Sequence, residues 1–386
     1  MTARLARSHF TNKGWRWMHK YRVVELYAGI ARTWEAFRAW RRCELALLTD
    51  VNQLAVDNYT DNFPKAPYWR RSLATVSPRE LEAKAGGKID ILLGCPPCQG
   101  FSDTGKRDPD DPRNVHVSIF GHFVCALNPL AVVLENVPLL GASNQYRRFT
   151  RRLEKAGYRW TDAIINAAHY GSCQTRQRLL LVALHKRTKA WPTLPRPTHG
   201  GERLYFGYQR QEMLRLSDSP AELFGITPAT FQLQAGFATQ NKPGWRPIPT
   251  VGEVIAGLPP IGSADAQILT HEPWQTSRKM VRRMARVPEG GRWYGGEDHF
   301  SHAYGRLHRR GLARTITTYF ANPGSGRFWH PRSERPLTIR EAARIQGIED
   351  DFLFHGPLTG IARLVGNALD SAIGNVGRLA VQDALD

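Results

Sequence analysis

The segment 94–102 (GCPPCQGFS) could carry chemistry most directly, because it holds two cysteines, Cys95 and Cys98, just beyond an apolar run. That run, 89–93, predicts a buried strand, and the two prolines favour an extended turn that presents Cys98 at the strand's end. A thiol there could be a nucleophile, half of a redox pair with Cys95, or a structural cysteine. Because no second CxxC or CxxxH motif offers further zinc ligands, we expect no metal site.

Further polar residues stand beside other predicted strands. Glu135 and Asn136 follow the apolar run 130–134, and the segment 174–178 (QTRQR) adjoins the run 179–184. Asp50 follows the run 45–48, and Gly29 lies in the turn after the run 23–27. Ligands of parallel sheets bind at the carboxyl ends of the strands, so these residues predict one site at one edge of a sheet.

Taken in order, these segments resemble the motifs of the bacterial DNA cytosine-5 methyltransferases. Residues 94–102 resemble the family's Pro-Cys-Gln motif, 135–137 its Glu-Asn-Val motif and 174–178 its Gln-x-Arg-x-Arg motif. Residues 335–347 (RPLTIREAARIQG) resemble the long motif that follows the variable region, and 366–368 the core of the final motif. The resemblance extends over about residues 22–190 and 304–380.

The resemblance implies methyl transfer from S-adenosylmethionine to carbon 5 of a cytosine that is flipped out of a specific duplex sequence. Carbon 5 is a poor nucleophile within the aromatic ring, and addition of a thiolate at carbon 6 makes it reactive. The resemblance gives that addition to Cys98, gives Glu135 the proton at N3 and Arg178 the contact with O2, and has Arg176 help to order the site. The substrate-binding residues that it implies are Pro97, Gln99, Ser102, Arg113, Asn136 and Val137.

The segment 23–30 (VVELYAGI) resembles the family's first motif, a strand that runs into a tight turn at a helix start. Asp50 would hold the ribose hydroxyls of the methyl donor. The full set of cofactor-binding residues implied is Glu25, Tyr27, Ala28, Gly29, Ile30, Ala31, Asp50, Val51, Pro96, Asn367 and Ala368.

The chain departs from the family pattern near this cofactor site. The family usually has Gly-x-Gly-Gly, whereas this chain has Gly29-Ile30-Ala31-Arg32, and a side chain at a helix start such as that of Arg32 can point to solvent. The final motif continues as residues 369–371 (LDS) in place of Val-Pro-Pro. Ser72 and His116 stand near positions where the family has Asp and Leu.

The elements that must position these residues alternate strand and helix from 23 to 185. The apolar runs that predict strands are 23–27, 45–48, 89–93, 130–134, 163–167 and 179–184. This alternation predicts an α/β fold with a mainly parallel sheet, and the resemblance specifies a Rossmann-like S-adenosylmethionine-dependent methyltransferase sheet. Residues 191–334 hold 14 of the 25 prolines and 17 of the 34 glycines, which indicates a second, smaller, loop-rich domain that would recognise the target. We therefore expect a basic N-terminal arm (1–22), a catalytic domain (23–190 plus 358–386) and a target-recognition domain with hinge (191–357).

Charge and composition indicate the partners. The net charge is +19, and residues 1–42 carry ten basic side chains against two acidic ones, which favours a polyanionic partner, namely double-stranded DNA. We expect a monomer on DNA, located in the cytoplasm of a prokaryote and associated with the nucleoid. We expect no membrane span. A restriction or other defence-system partner is a further option. Two alternatives stay open: a tRNA cytosine-5 methyltransferase, and a weakly active methyltransferase-like subunit that binds DNA in a larger assembly.

Overall fold

The computed structural model describes residues 20–97, 115–200, 246–293 and 303–386. Nine strands occur within these ranges: β1 (Tyr21–Leu26), β2 (Cys43–Asp50), β3 (Tyr68–Arg70), β4 (Ile91–Gly94), β5 (Ala131–Asn136), β6 (Tyr158–Asn166), β7 (Gln174–Thr175), β8 (Gln177–His185) and β9 (Ala313–Arg314). Seven of them form one sheet in the order β3-β2-β1-β4-β5-β8-β6, and β7 pairs with β9.

The large sheet is mostly parallel, as predicted. The pairs β1–β2, β1–β4, β2–β3 and β4–β5 are parallel, while β8 runs antiparallel to both β5 and β6. Each of the six predicted apolar runs overlaps one of these strands, although β6 begins five residues before its run. The short strand β3 was not predicted, because its three residues show no apolar alternation.

Helices cover both faces of the sheet. In the first half of the described chain they are α1 (Arg32–Phe37), α2 (Gln53–Asn62), α3 (Pro78–Lys84), α4 (Val115–Leu127) and α5 (Asn144–Lys155). Alternate residues of each strand point to opposite faces, so Val132 packs in one core with Phe120 of α4 and Phe149 of α5. Its neighbour Val133 packs in the other core with Phe37 of α1.

The chain after β8 has short helices and long connections. These helices are α6 (Val251–Val254), α7 (Ala264–Ile268), α8 (Arg278–Met284) and α9 (Ile339–Ile345). Arg306 is buried there and donates hydrogen bonds to the carbonyls of Met284 and Val287, both at 2.8 Å. Its guanidinium also pairs with Glu334 at 2.8 Å, so one side chain joins three segments of this loop-rich region.

The last two helices return to the sheet. They are α10 (Leu358–Asn367) and α11 (Ser371–Leu385), and α11 packs against α1 and β8. Helix α9 begins with a capping box, in which Thr338 and Glu341 exchange hydrogen bonds between side chain and backbone. This return brings residues near the C-terminus beside the turn that follows β1.

The first strand of the sheet overlaps the last two residues of the predicted basic arm. The basic arm was expected to extend to Arg22, but β1 begins at Tyr21, and the backbone N–H of Arg22 donates to Asp90 Oδ2 at 3.1 Å. The remainder of the predicted arm, residues 1–19, lies outside the described residues. Within the ranges that are described, every helix is too short or too polar to cross a bilayer.

Candidate active site

The predicted acid and the predicted O2-binding residue lie in contact. Glu135 stands at the end of β5 and Arg178 at the start of β8, and because these strands are antiparallel neighbours the two side chains meet at one sheet edge. Arg178 Nε lies 3.0 Å from Glu135 Oε1. The Arg178 Nη1 group also donates to the carbonyl of Gln177 at 2.7 Å, which fixes the guanidinium beside the carboxylate.

The loop that leads toward Cys98 is tied to the same edge. Asn136 Nδ2 donates to the carbonyl of Pro96 at 2.8 Å, and Asn136 Oδ1 accepts from the backbone N–H of Val137, also at 2.8 Å. Pro97 is half-buried beside this contact. The predicted site residues Cys98, Gln99, Ser102 and Arg113 lie outside the described residues.

Cys95 is placed among acidic groups at this edge and does not resemble a reactive thiol. Burial and the nearby carboxylates of Glu135 and Glu25 raise the pKa of Cys95 well above its usual range. Its Sγ lies 3.8 Å from Thr33 Oγ1. Because a thiolate is the nucleophilic form, Cys95 is suited to packing rather than to attack.

Arg176 was expected to help order the active site, and its contacts lie behind the Glu135–Arg178 pair. It is 2% exposed and donates to the carbonyls of Ile316 (3.1 Å), Gly366 (3.3 Å) and Ala368 (3.1 Å). Burial lowers the pKa of Arg176 to about 9. The guanidinium therefore joins the sheet edge to the loop-rich region and to the end of α10, which contains Asn367.

The turn after β1 has an unusual backbone. Tyr27, Gly29 and Ala31 all have positive φ, with values of 57°, 55° and 53°. The carboxylate of Asp50 holds the turn through the Gly29 N–H at 2.8 Å, and Tyr68 Oη donates to the Gly29 carbonyl at 2.6 Å. Ile30 is buried in the core beneath the turn.

These residues fit the nucleoside part of S-adenosylmethionine. A Cβ atom built on Gly29 would meet nothing within 4 Å, so there is open space above the turn. The Asp50 carboxylate keeps lone pairs that two hydroxyl groups could use, because within the described chain its oxygens accept hydrogen bonds from the backbone N–H groups of Gly29 and Asn52. Val51 follows directly and is 62% exposed, which leaves an apolar side chain free for an adenine ring.

Glu25 lies beneath this turn and binds the start of α1. Its Oε2 accepts from the Trp34 N–H at 2.7 Å, and Thr33 also donates to it. Burial raises the pKa of Glu25 from 4.5 to about 7. Because Ala31 provides no side-chain cap for α1, Glu25 supplies the acceptor that the helix start requires.

With the geometry established, comparison with known proteins decides the family. The family model described as C-5 cytosine-specific DNA methylase matches residues 21–373. The chain belongs to this family. It is therefore a DNA cytosine-5 methyltransferase, and its methyl donor is S-adenosylmethionine.

Individual relatives agree with this membership. The chain is 30% identical over 348 residues to the type II methyltransferase M.XorII of Xanthomonas oryzae pv. oryzae, covering 84% of this chain and 76% of the relative. It is 29% identical over 366 residues to M.NgoFVII of Neisseria gonorrhoeae, covering 91% and 83%. A solved structure of an Escherichia coli prophage protein, described as a DNA modification methyltransferase, shares the fold with a TM-score of 0.67 at 19% identity, covering 95% and 99%.

The side chain of Arg32 is buried in this methylase, whereas its position at a helix start suggested that it points to solvent. Arg32 is 8% exposed, and its Nη2 donates to the Gly347 carbonyl at 2.7 Å and to Ser371 Oγ at 2.5 Å. The helix start at Arg32 faces α11 rather than solvent, because the C-terminal helices pack over α1.

A buried polar network in the methylase was missed by sequence reasoning. Asp370 Oδ2 accepts from Ser172 Oγ at 2.7 Å and from Gln174 Nε2 at 2.8 Å. Gln174 Nε2 also donates to Gln346 Oε1 at 2.7 Å. Gln174 and Gln346 both lie inside segments that resemble family motifs, so their motif membership was the available signal, but the sequence could not show that the two segments meet.

Proposed function

We propose that this methylase uses Cys98 as a transient nucleophile, with Glu135 and Arg178 acting on the pyrimidine ring of a flipped cytosine. The proposal rests on the contact between Glu135 and Arg178. Arg178 Nε lies 3.0 Å from Glu135 Oε1, at the ends of two adjacent strands. An acid and a fixed guanidinium side by side match the two polar atoms, N3 and O2, on one side of a cytosine ring. The Asn136–Pro96 hydrogen bond supports it further, since Pro96 lies two residues before Cys98.

Three residues of the chain act on the cytosine ring in turn. The Cys98 thiolate forms a bond to carbon 6, electrons shift through carbon 4 to N3, and N3 takes a proton held by Glu135. Arg178 stabilises negative charge that develops on O2. Carbon 5, now part of an enamine, forms its bond to the methyl group as the bond from the methyl group to the donor's sulfur breaks. N3 returns its proton to Glu135, and water removes the carbon 5 proton while Cys98 leaves as a thiolate, which restores the ring. S-adenosylmethionine supplies the electrophilic methyl group when it is bound.

For the methyl donor, we propose a site at the turn after β1. Asp50 would accept hydrogen bonds from the ribose hydroxyls, and Val51 would pack against the adenine. Tyr27, Ala28, Gly29, Ile30 and Ala31 form the turn itself, and Glu25 supports it from below. Asn367 and Ala368, held near the sheet edge through Arg176, would complete the site with Pro96.

We propose that the loop-rich region, 191–357, recognises the DNA sequence. Helix α8 supports this, because Arg278, Lys279 and Arg282 are exposed along it and Arg286 follows directly after. Exposed cations of this kind bind phosphates, and such contacts position a protein on duplex DNA. We also propose a role beside a restriction nuclease, in keeping with the type II names of the relatives. We propose further that the chain acts as a monomer on DNA in the cytoplasm.

A duplex that contains 5-fluorocytosine tests the nucleophile. Fluorine at carbon 5 cannot leave as a proton does, so the adduct at carbon 6 should persist and add the mass of the DNA strand to the protein. We expect this adduct with mixed-sequence duplex in the presence of S-adenosylmethionine, and we expect none with Cys98→Ser. An adduct of equal yield in Cys98→Ser would refute the assignment. Bulk tRNA in a parallel methylation assay should accept no label.

A further inference from the structure

We propose that Arg32 is a positioning residue for the methyl-donor site, and that it acts together with Ser371. Both residues stand where the family has different ones, Gly and Pro, and the structure brings these two departures into direct contact. The inference rests on the proposed location of the donor site at the turn that contains Gly29 and Ala31. It adds a part of the machinery that the family pattern does not include.

Three hydrogen bonds form a closed arrangement around Arg32. Arg32 Nη2 donates to the Gly347 carbonyl at 2.7 Å and to Ser371 Oγ at 2.5 Å. Ser371 Oγ in turn donates to the same Gly347 carbonyl at 2.6 Å. The guanidinium, the hydroxyl and the carbonyl therefore hold one another, and loss of any one of these groups removes two of the three hydrogen bonds.

The arrangement requires a close approach that the local backbone permits. Gly347 has φ of 71°, and a Cβ atom there would lie 2.8 Å from Ser371 Oγ. Ser371 is the first residue of α11, and Asp370 caps this helix through the Ala372 N–H at 2.8 Å. Proline is favoured at the first position of a helix, so a serine there gives up that preference but provides the hydroxyl that Arg32 binds.

Because Arg32 is buried, the loss of these hydrogen bonds would cost free energy. A buried guanidinium is costly unless its N–H groups are hydrogen-bonded, and Arg32 donates to two neutral acceptors, the Gly347 carbonyl and the Ser371 hydroxyl. Among the described residues Arg32 Nε has no hydrogen-bond partner. The side chain therefore has few alternative positions, and its backbone is fixed relative to α11.

The backbone that Arg32 fixes is the end of the donor turn. Ala31, immediately before it, has the left-handed conformation (φ 53°, ψ 40°), which costs a non-glycine residue free energy and persists only where neighbouring contacts impose it. The Ala31 N–H donates to the Ala28 carbonyl at 2.7 Å on one side of the turn, and Arg32 anchors the other side. Without the anchor, we expect the turn to relax and the donor site to lose its shape.

The test is a double-mutant cycle with Arg32→Ala, Ser371→Ala and the combined variant. The binding of S-adenosylmethionine would be measured by calorimetry, KM for the donor and kcat by methyl transfer, and DNA affinity by a gel-shift assay. We expect Arg32→Ala to weaken donor binding about tenfold, as loss of a charged hydrogen bond does, and Ser371→Ala to weaken it about threefold. The combined variant should match Arg32→Ala within about twofold, because the Ser371 contribution passes through Arg32. DNA affinity should stay unchanged.

Two controls separate this inference from its premise. Arg41→Ala removes an exposed arginine near the end of α1 and should leave donor binding unchanged. Asp50→Ala should weaken donor binding strongly, and if it does not, the proposed donor site is wrong, whatever the Arg32 variants show. If Asp50→Ala weakens binding but Arg32→Ala and Ser371→Ala do not, the Arg32 inference is overturned and the site stands.

A purely structural role for Arg32 gives a different result. It would lower the melting temperature of the variants while leaving the Kd for S-adenosylmethionine unchanged, and that outcome contradicts the proposal. If Arg32→Ala does not fold, Ser371→Ala and Arg32→Lys still decide, because Ser371→Ala keeps the Arg32 side chain and Arg32→Lys keeps a cation at position 32. Unchanged donor Kd in both of these variants overturns the inference.

Discussion

Asn136 Nδ2 donates a hydrogen bond to the carbonyl oxygen of Pro96 at 2.8 Å, joining two segments that are 40 residues apart in sequence. Asn136 follows Glu135 on β5, and Pro96 lies two residues before Cys98. One side-chain amide thus joins the strand that carries the predicted acid to the segment that precedes the predicted nucleophile in sequence. Asn136 is buried, so water does not compete readily for this bond.

Loss of this amide should slow methyl transfer without unfolding the protein. In Asn136→Ala we expect kcat to fall by about tenfold to 100-fold, because a small displacement between reacting groups has a large effect on rate. DNA affinity should change little, and loss of the buried hydrogen bonds should lower the free energy of unfolding by about 1–3 kcal/mol. The control is Asn144→Ala, since Asn144 is exposed at the start of α5. Equal kcat in Asn136→Ala and Asn144→Ala would show that the connection is dispensable.

The contact between Glu135 and Arg178 makes a second prediction about rate. Glu135→Gln keeps the shape of the side chain but removes the charge that faces Arg178 Nε. We expect kcat to fall at least 100-fold, a typical contribution of a positioned acid, while the Kd for duplex DNA changes less than about threefold. Glu80→Gln is the control, because Glu80 is exposed on α3. Activity of Glu135→Gln within threefold of the parent chain would exclude an essential proton at this residue.

The buried carboxyl group of Glu25 should make folding stability depend on pH. Burial raises its pKa from 4.5 to about 7, so between these values the folded state keeps a proton that the unfolded state has released. The contribution of Glu25 to stability is therefore fully present below pH 4.5, and it is lost as the pH rises through about 7. The loss amounts to about 3 kcal/mol.

Glu25→Gln tests this dependence, since glutamine keeps an acceptor for the Trp34 N–H but cannot ionise. At pH 8 we expect the variant to be more stable than the parent chain, by up to about 3 kcal/mol in urea unfolding. At pH 5.5 the advantage should be much smaller. The matched control is Glu82→Gln, on α3, measured at the same two pH values. If Glu25→Gln is less stable than the parent chain at pH 8, the hydrogen bonds of the ionised Glu25 carboxylate to the start of α1 stabilise the fold more than burial of its charge destabilises it.

The sequence predicted more of the sheet than of the contacts between distant segments. Apolar runs predicted six of the seven strands of the sheet, because buried strands require continuous apolar residues. Glu135 and Arg178 were predicted to act on the same base, and in the structure their side chains lie 3.0 Å apart. The role of Cys98 stays a prediction, since this residue lies outside the described ranges.

Arg32 shows why the remainder could not be predicted. Its position at a helix start suggested a solvent-facing side chain, and nothing near it in the sequence indicates otherwise. Its partners, Gly347 and Ser371, are more than 300 residues away in the chain, and only the return of α11 over α1 brings them together. The network of Asp370 and Gln174 was missed for the same reason, although both residues were noted individually.

The junction between α10 and the loop-rich region depends on a glycine. A Cβ atom on Gly366 would lie 2.5 Å from the carbonyl carbon of Thr317 and from the backbone nitrogen of Thr318. Because backbone atoms cannot rotate away as a side chain does, Gly366→Ala must separate α10 from that segment. We expect a loss of about 1–3 kcal/mol in the free energy of unfolding, or more. Binding of S-adenosylmethionine should weaken as well, since Asn367 and Ala368 follow directly.

Gly360, on the same helix, is the matched control. A Cβ atom there would lie 2.6 Å from Leu54 Cδ2, the far end of a flexible side chain that can move aside. Alanine is also preferred over glycine within a helix by up to about 1 kcal/mol, which offsets the cost of moving Leu54. Gly360→Ala should therefore unfold within about 1 kcal/mol of the parent chain. Equal destabilisation by the two substitutions would show that helix α10 resists any added methyl group, and that the close approach of Thr317 to Gly366 has no special importance.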